Sequence, residues 1–311
     1  FLFWTISLLT KKLVLKKDTI PSTYQYLCIF GAAFIGALTY TFTDSFWFSA
    51  VEGEVYALSS LFTAITFWAI LKWEEQAERK DNLRWMLLIA YLVGLSIGVH
   101  LLNLLAVPAI VFIYYFKKYK VSKKGILIVT LLSFVILGGI LYLIIPWIVI
   151  LAGNFELFFV NQMRLPFNSG TLIYLLLLVG LIGFGIYYTQ KNNKFVWNII
   201  LKSFVFLLIG YSTYFILVIR SSAETPIDEN NPSNAINLLA YLQREQYGDT
   251  PLFYGQYYSA PFKDTEKWKD KKPVYKKDEN LKKYVVIDKR QNSKPIYEPE
   301  FCTIFPRMWS G

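Results

Sequence analysis

Eight apolar runs set the terms for this sequence: a short one at 1–9, then 27–46, 55–72, 85–99, 100–116, 125–152, 171–188 and 197–219. A helix needs roughly 20 apolar residues to cross about 30 Å of hydrocarbon, so most of these runs read as membrane spans. The stretch 85–116 is too long for one span and divides near His100. Residues 125–152 read as one long tilted helix whose outer end is broken by Pro146. Composition agrees: of 311 residues, 55% are hydrophobic, 18% aromatic and only 17% charged. Soluble domains carry roughly a quarter charged residues, so a cytosolic enzyme is excluded, as are disorder, collagen and coiled coil. Cys28 and Cys302 allow at most one bridge and no cysteine zinc cluster. The chain opens at Phe1 inside an apolar run and closes at Gly311 without a tail signal, which reads as an internal piece of a longer protein.

The formal charge is +10, from 32 basic and 22 acidic residues, but its placement says more than its size. Residues 1–219 hold 17 basic and 9 acidic side chains, whereas 220–311 hold 15 and 13. The basic residues of the first part sit in alternate short loops: Lys11 to Lys17, Lys72 to Arg84, Lys117 to Lys124, and Lys191 with Lys194. A nucleic-acid binder would line them along one exposed face, so nucleic acid is not a partner. Cytoplasmic loops collect the Lys/Arg excess, which turns these loops inward and leaves only Arg164 as an outward-facing basic residue before Arg220. The expected organisation is a transmembrane domain over 1–219 with about eight spans, mainly α. A small extracytoplasmic α/β domain follows over 220–311. Cys28 and Cys302 then lie far apart, so no bridge is expected. In the outer domain, Asn231 and Pro232 before Ala235, Ile236, Leu238, Leu239 and Leu242 read as a capped helix with proline in its first turn. Short β-prone runs follow at 252–254 and 284–287, and the Lys-rich stretch 263–283 between them reads as a solvated loop. Gly94 and Gly98 make a small-xxx-small pair, the mark of close helix packing.

With that threading, the polar groups gather at the outer boundary. They are Asp44, Glu52 and Glu54; His100 and Asn103; Asn154, Glu156, Asn161, Gln162 and Arg164; and Arg220 with Asp228, Glu229, Asn230 and Asn231. No charge falls at mid-membrane, where a proton pump or ion-coupled transporter would place one. Each candidate has a plainer role open to it. Ser49 and Glu52 fit a capping box for the 55–72 helix, although Glu54 lies on another face. His100, the one histidine, can be a hydrogen-bonded structural residue. Arg220 can snorkel to headgroups, whereas Arg164, in an apolar outer loop, invites an anion such as phosphate. A His/Asp/Glu metal site is conceivable, but no spacing here is diagnostic of one.

Three blocks carry a resemblance: Phe46 to Leu58 (FWFSAVEGEVYAL), Gly94 to Asn103 (GLSIGVHLLN), and Asp228 to Pro232 with Tyr241 to Asp249 (DENNP, YLQREQYGD). Together they resemble a bacterial multi-pass membrane family of unknown function whose animal relatives are protein O-mannosyltransferases of the GT-C type. The resemblance implies a GT-C-like helical bundle in the bacterial inner (cytoplasmic) membrane, with the C-terminal domain on the periplasmic side. It also implies transfer of a mannose-like sugar from a polyprenyl-phosphate donor to an extracytoplasmic acceptor, a protein or glycan. The family's main catalytic acid, in the first external loop, would lie upstream of Phe1. On this reading Glu54 and Glu52 supply supporting carboxylates or the general base, and Arg164, His100 and Arg220 hold the donor phosphate. Asn103, Asp228, Asn231, Tyr254 and Gln256 meet sugar or acceptor hydroxyls. No cofactor is certain, and a divalent metal stays open. The alternatives are a non-catalytic envelope assembly protein or a lipid or solute transporter. The threading has a direct test in a background where Cys28 and Cys302 are serine. Cysteines at Glu54, His100 and Arg164 should react with an impermeant maleimide from outside, and one at Lys120 should not; a split among the first three would overturn it.

Overall fold

Helices form wherever the sequence places an apolar run. The computed structural model describes residues 1–16, 19–223, 225–226, 228, 230–243, 251, 253–264 and 266–306. Its helices are α1 (Leu2–Val14), α2 (Thr23–Thr41), α3 (Asp44–Val51), α4 (Tyr56–Glu75), α5 (Leu83–Ile97), α6 (Ala106–Lys118), α7 (Lys123–Gly138), α8 (Ile145–Leu157), α9 (Ser169–Lys191), α10 (Phe195–Tyr211), α11 (Phe215–Ser221) and α12 (Ala235–Leu242). Among the described residues, four helical stretches are long and apolar enough to cross a membrane: Leu101–Lys118, Lys123–Gln162, Ser169–Lys191 and Phe195–Ser221. The bent pair α2 and α3, turned by 59°, adds a fifth if it is one span. The protein is therefore a multi-pass membrane protein. All eight expected spans are helical, but α1 and α5 have only 13 and 15 residues, and α4 carries Lys72, Glu74 and Glu75 in its last turn. Leu172, Leu176, Leu181 and Phe184 of α9 are exposed, as suits side chains facing lipid.

The chain divides into two units, Phe1–Ile144 with Val179–Ile216, and Ile145–Leu178 with Leu217–Gly311. In the first unit α5 and α10 approach most closely, and the reason is reciprocal glycine. A Cβ on Gly94 would overlap the Leu207 carbonyl, one on Gly210 would overlap the backbone of α5, and one on Gly98 would meet the Thr213 hydroxyl. Small residues let helix backbones touch where lipid gives no hydrophobic drive for association. Ala69, Ile70 and Trp73 of α4 are buried with Ile97 and Leu104. At one end of this unit the basic turns converge. Lys11 lies 3.4 Å and Lys72 2.8 Å from Glu75, Lys12 pairs with Glu74, and Lys118 reaches Glu78 at 3.3 Å. The 20 residues of α4 rise about 30 Å, which puts Tyr56 at the other end.

The second unit joins helix to small antiparallel pairs: β1 (Tyr254–Gln256) with β6 (Cys302–Ile304), β2 (Trp268–Lys269) with β5 (Lys294–Pro295), and β3 (Val274–Asp278) with β4 (Lys283–Asp288). Three expectations are corrected here. The stretch 263–283 is not merely a loop, because β2 and β3 lie in it. Asp278 Oδ1 accepts the amides of Asn280 and Leu281 and so folds the hairpin turn. The cap of α12 is Asn234, whose Oδ1 accepts the Ile236 and Asn237 amides at 3.0 Å, and Pro232 lies before it. Pro146 does not end its helix. Residues Gly139–Ile144 wind as a π-turn just ahead of it, where a widened ladder takes up the missing N–H, and helix continues to Gln162. Asn154, Glu156, Asn161 and Gln162, expected in a loop, are therefore helical. Cys28 and Cys302 are both free thiols.

The α5–α10 contact makes a sharp stability prediction. Gly94→Val and Gly210→Val should each destabilise by about 2–3 kcal/mol through backbone overlap. Gly180→Ala, with open space around it, should stay within about 0.5 kcal/mol. Thermal unfolding in detergent distinguishes the two outcomes.

Candidate functional site

In the first unit the polar end is built by two helix breaks. The chain leaves α2 at Phe42, turns through Thr43 into α3, and leaves α3 at Glu52, whose backbone is extended and whose amide donates to the Phe48 carbonyl. The capping box that the Ser49–Glu52 spacing allows is absent: Ser49 lies inside α3 with its hydroxyl donating to the Ser45 carbonyl, and α4 starts at Tyr56 after Val55 without a side-chain cap. Glu52 and Glu54 are thus exposed carboxylates, neither in an ion pair among the described residues. Asp44, also exposed, opens α3.

The second break lies between α5 and the 3₁₀ turn Leu101–Leu105. His100 there has an extended backbone, and its Nδ1 accepts the Leu102 amide at 3.1 Å. An imidazole accepting at Nδ1 carries its neutral-form proton on Nε2, so Nε2–H is the donor available to a ligand. The ring packs 5.4 Å from that of Tyr56, bringing the start of α4 beside the end of α5. Asn103 is fully buried and donates from Nδ2 to Thr66 Oγ1 at 3.3 Å, which ties the 3₁₀ turn to α4. Among the sequence candidates, the two glutamates, His100 and Asn103 fall on this one unit, and Asn103 faces packing rather than solvent.

In the second unit the dominant polar feature is one to which the sequence reading gave no role. Glu156 is fully buried and accepts from the Asn168 amide at 2.6 Å, the Thr171 amide at 2.9 Å, the Thr171 hydroxyl at 3.1 Å and the Tyr284 hydroxyl at 3.2 Å. One carboxylate thereby satisfies orphan donors at the start of α9 and anchors β4 to α8. Asn161 completes the anchor, its Oδ1 accepting the Tyr284 amide and its Nδ2 donating to the Tyr284 carbonyl, as a neighbouring strand would. Burial, and then the Glu156 carboxylate beside it, raises the Tyr284 hydroxyl above the ordinary phenol range. The signal for Glu156 was a single acid inside a 40-residue apolar helical stretch.

The other candidates of this unit lie apart in the chain. Arg164 is exposed just past the helix end, with a left-handed backbone (φ 57°) that an arginine seldom adopts. Arg220 is exposed in the last turn of α11, in no ion pair among the described residues. Next to it the buried Ser221 hydroxyl donates to Asp228 Oδ2 at 2.8 Å and lies 3.1 Å from Asn231 Oδ1. A cavity of about 250 Å³ opens here, lined by Leu217, Arg220, Ser221, Thr225, Asp228, Pro232 and Tyr241. Tyr254 and Gln256 lie on one face of β1, opposite Ile304 and Cys302, with Tyr254 exposed. Glu229 lies outside the described residues. Among the described residues no three His, Cys, Asp or Glu side chains are placed to hold a metal.

Spanning helices with polar groups at their ends define a multi-pass membrane protein. Residues 1–123 match the family described as the protein O-mannosyl-transferase TMEM260 N-terminal domain, which relates this part of the chain to protein O-mannosyltransferases. That stretch contains two of the three resembling blocks, with Glu52, Glu54, His100 and Asn103. Residues 248–311 match a family of unknown function, DUF8416. No curated protein and no solved structure matches the chain.

The Glu156 anchor is testable. Glu156→Ala should cost roughly 3 kcal/mol, because buried donors lose their acceptor, and Tyr284→Phe about 1 kcal/mol. Faster amide exchange at Tyr284 in the first variant is the confirming measurement. Because the folded-state pKa of Tyr284 is raised, its share of stability should be full below pH about 10 and fade at more alkaline pH.

Proposed function

We propose that this chain works as a membrane glycosyltransferase of GT-C type. It moves a mannose-like sugar from a polyprenyl-phosphate donor to an extracytoplasmic acceptor such as a protein hydroxyl. The observation that carries this reading is the match of residues 1–123 to the O-mannosyl-transferase domain, in a chain whose helices are built for a bilayer. A donor with a long lipid tail has to be met at the membrane surface. The exposed Glu52 and Glu54, at the end of their unit opposite the lysine turns, suit that position. The side with Glu54 and residues 220–311 is the outer face of a bacterial inner membrane.

The chemistry is a displacement at the anomeric carbon. The acceptor oxygen forms its bond to that carbon while the bond to the donor phosphate oxygen breaks, and a carboxylate takes the acceptor's proton. Glu54, with Glu52 beside it, is the carboxylate this chain offers. The departing phosphate carries negative charge that hydrogen-bond donors stabilise. His100 offers Nε2–H for that purpose, and Arg164 and Arg220 offer exposed guanidiniums suited to paired phosphate contacts. Asp228, Asn231, Tyr254 and Gln256 are assigned to sugar and acceptor hydroxyls. Asn103 supports from below by holding the turn that carries His100.

Transfer of labelled mannose from a short-chain polyprenyl phosphate to an acceptor protein, by purified protein in lipid nanodiscs, tests this. Glu54→Gln should lower the rate by about 10²-fold or more, and Arg164→Ala by about tenfold. Equal rates in both variants, in folded protein that transfers sugar, would remove these residues from the mechanism. Absence of transfer by every polyprenyl phosphate sugar offered would remove the reading itself.

A further inference from the structure

We infer that the cavity at the end of α11 is a seat for a sugar phosphate headgroup. The inference rests on the transferase reading and deepens it by placing both halves of one ligand in one enclosure. The cavity is formed within the second unit by the last turn of α11, by Thr225, Asp228 and Pro232, and by Tyr241 of α12. Its lining combines a cation, Arg220, with an anion, Asp228, and the two make no ion pair. Two opposite charges facing one space of about 250 Å³ without closing on each other suit a ligand that carries an anion at one end and hydroxyl donors at the other.

The details favour that polarity. The buried Ser221 hydroxyl fixes Asp228 through Oδ2, which orients the carboxylate and leaves Oδ1 to accept from a sugar hydroxyl. Asn231, within 3.1 Å of the same serine hydroxyl through its Oδ1, has its backbone held by Asn237. Tyr241 brings an aromatic ring with a hydroxyl, the kind of surface on which a pyranose packs. Leu217 gives an apolar wall on the α11 side. The volume lies below the roughly 300–1,000 Å³ of sites for drug-sized ligands, so it admits a headgroup and leaves a prenyl chain outside. Arg220, in no ion pair among the described residues and in the last turn of its helix, is the natural contact for the phosphate.

The probe is mannose 1-phosphate, with mannose, inorganic phosphate, farnesyl phosphate and glycine as comparisons, titrated calorimetrically into the full chain in detergent. Mannose 1-phosphate should bind more tightly than mannose or phosphate alone. Arg220→Ala and Asp228→Asn should each weaken it by about tenfold or more. Leu217→Trp, which fills the cavity, should abolish binding, and unchanged circular dichroism shows that each variant folds. Competition by farnesyl phosphate would identify the lipid-linked headgroup as the source, and its failure a free sugar phosphate. Binding undisturbed by Leu217→Trp and Arg220→Ala overturns the inference even if transfer persists, and so does glycine binding as tightly as mannose 1-phosphate. Binding lost in these variants, in a protein that never transfers sugar, keeps the seat and overturns the transferase reading.

Discussion

Hydrocarbon tolerates neither an unpaired backbone amide nor an unpaired charge, and the rest of this structure follows from that intolerance. Helices satisfy their own backbone, so difficulty arises only where they stop. Three interruptions are resolved in the same way, by a side chain beside the break that takes up freed groups. At the α2–α3 bend the Thr43 hydroxyl donates to the Tyr40 carbonyl at 2.8 Å. At the α5–α6 break His100 Nδ1 accepts the Leu102 amide. Ahead of α9, Glu156 accepts the Asn168 and Thr171 amides from a neighbouring helix. Polar residues at these positions are required by the backbone before any chemistry is asked of them, so position at a break alone does not mark a catalytic group. Glu52 and Glu54 differ in this respect, because no described break uses their side chains.

What could be read in the sequence was what depends on composition along one helix. The apolar runs became helices, the division at His100 became a real break, and Gly94 became a close backbone contact with Gly98 against the Thr213 hydroxyl. What could not be read depends on partners remote in the chain. Glu156 meets Tyr284 across 128 residues, a partner that nothing local to the glutamate reveals. Pro146 stays inside its helix because a π-turn, a backbone adjustment without a sequence signature of its own, accommodates it. The Ser49–Glu52 spacing of a capping box is satisfied on paper, but α3 had already claimed the serine. In the Lys-rich stretch, charge masked the weak alternation that pairs β3 with β4.

The two arginines that the sequence already set apart also differ in their local setting. Arg220 stands in the last turn of α11, where the helix dipole favours a cation, so its location has a local electrostatic reason as well as the cavity beside it. Arg164, just past the end of the 123–162 helix, meets the same dipole but at a cost in its backbone. It ends a helix in the left-handed region, where glycine or asparagine is the undemanding choice and another residue costs about 1–2 kcal/mol. Asn168, four residues on, shows the ordinary solution at φ 68°. The same left-handed backbone recurs at Lys282 (φ 50°), Arg290 (φ 46°) and Phe305 (φ 55°), so the torsion marks where elements end and does not by itself call for a ligand.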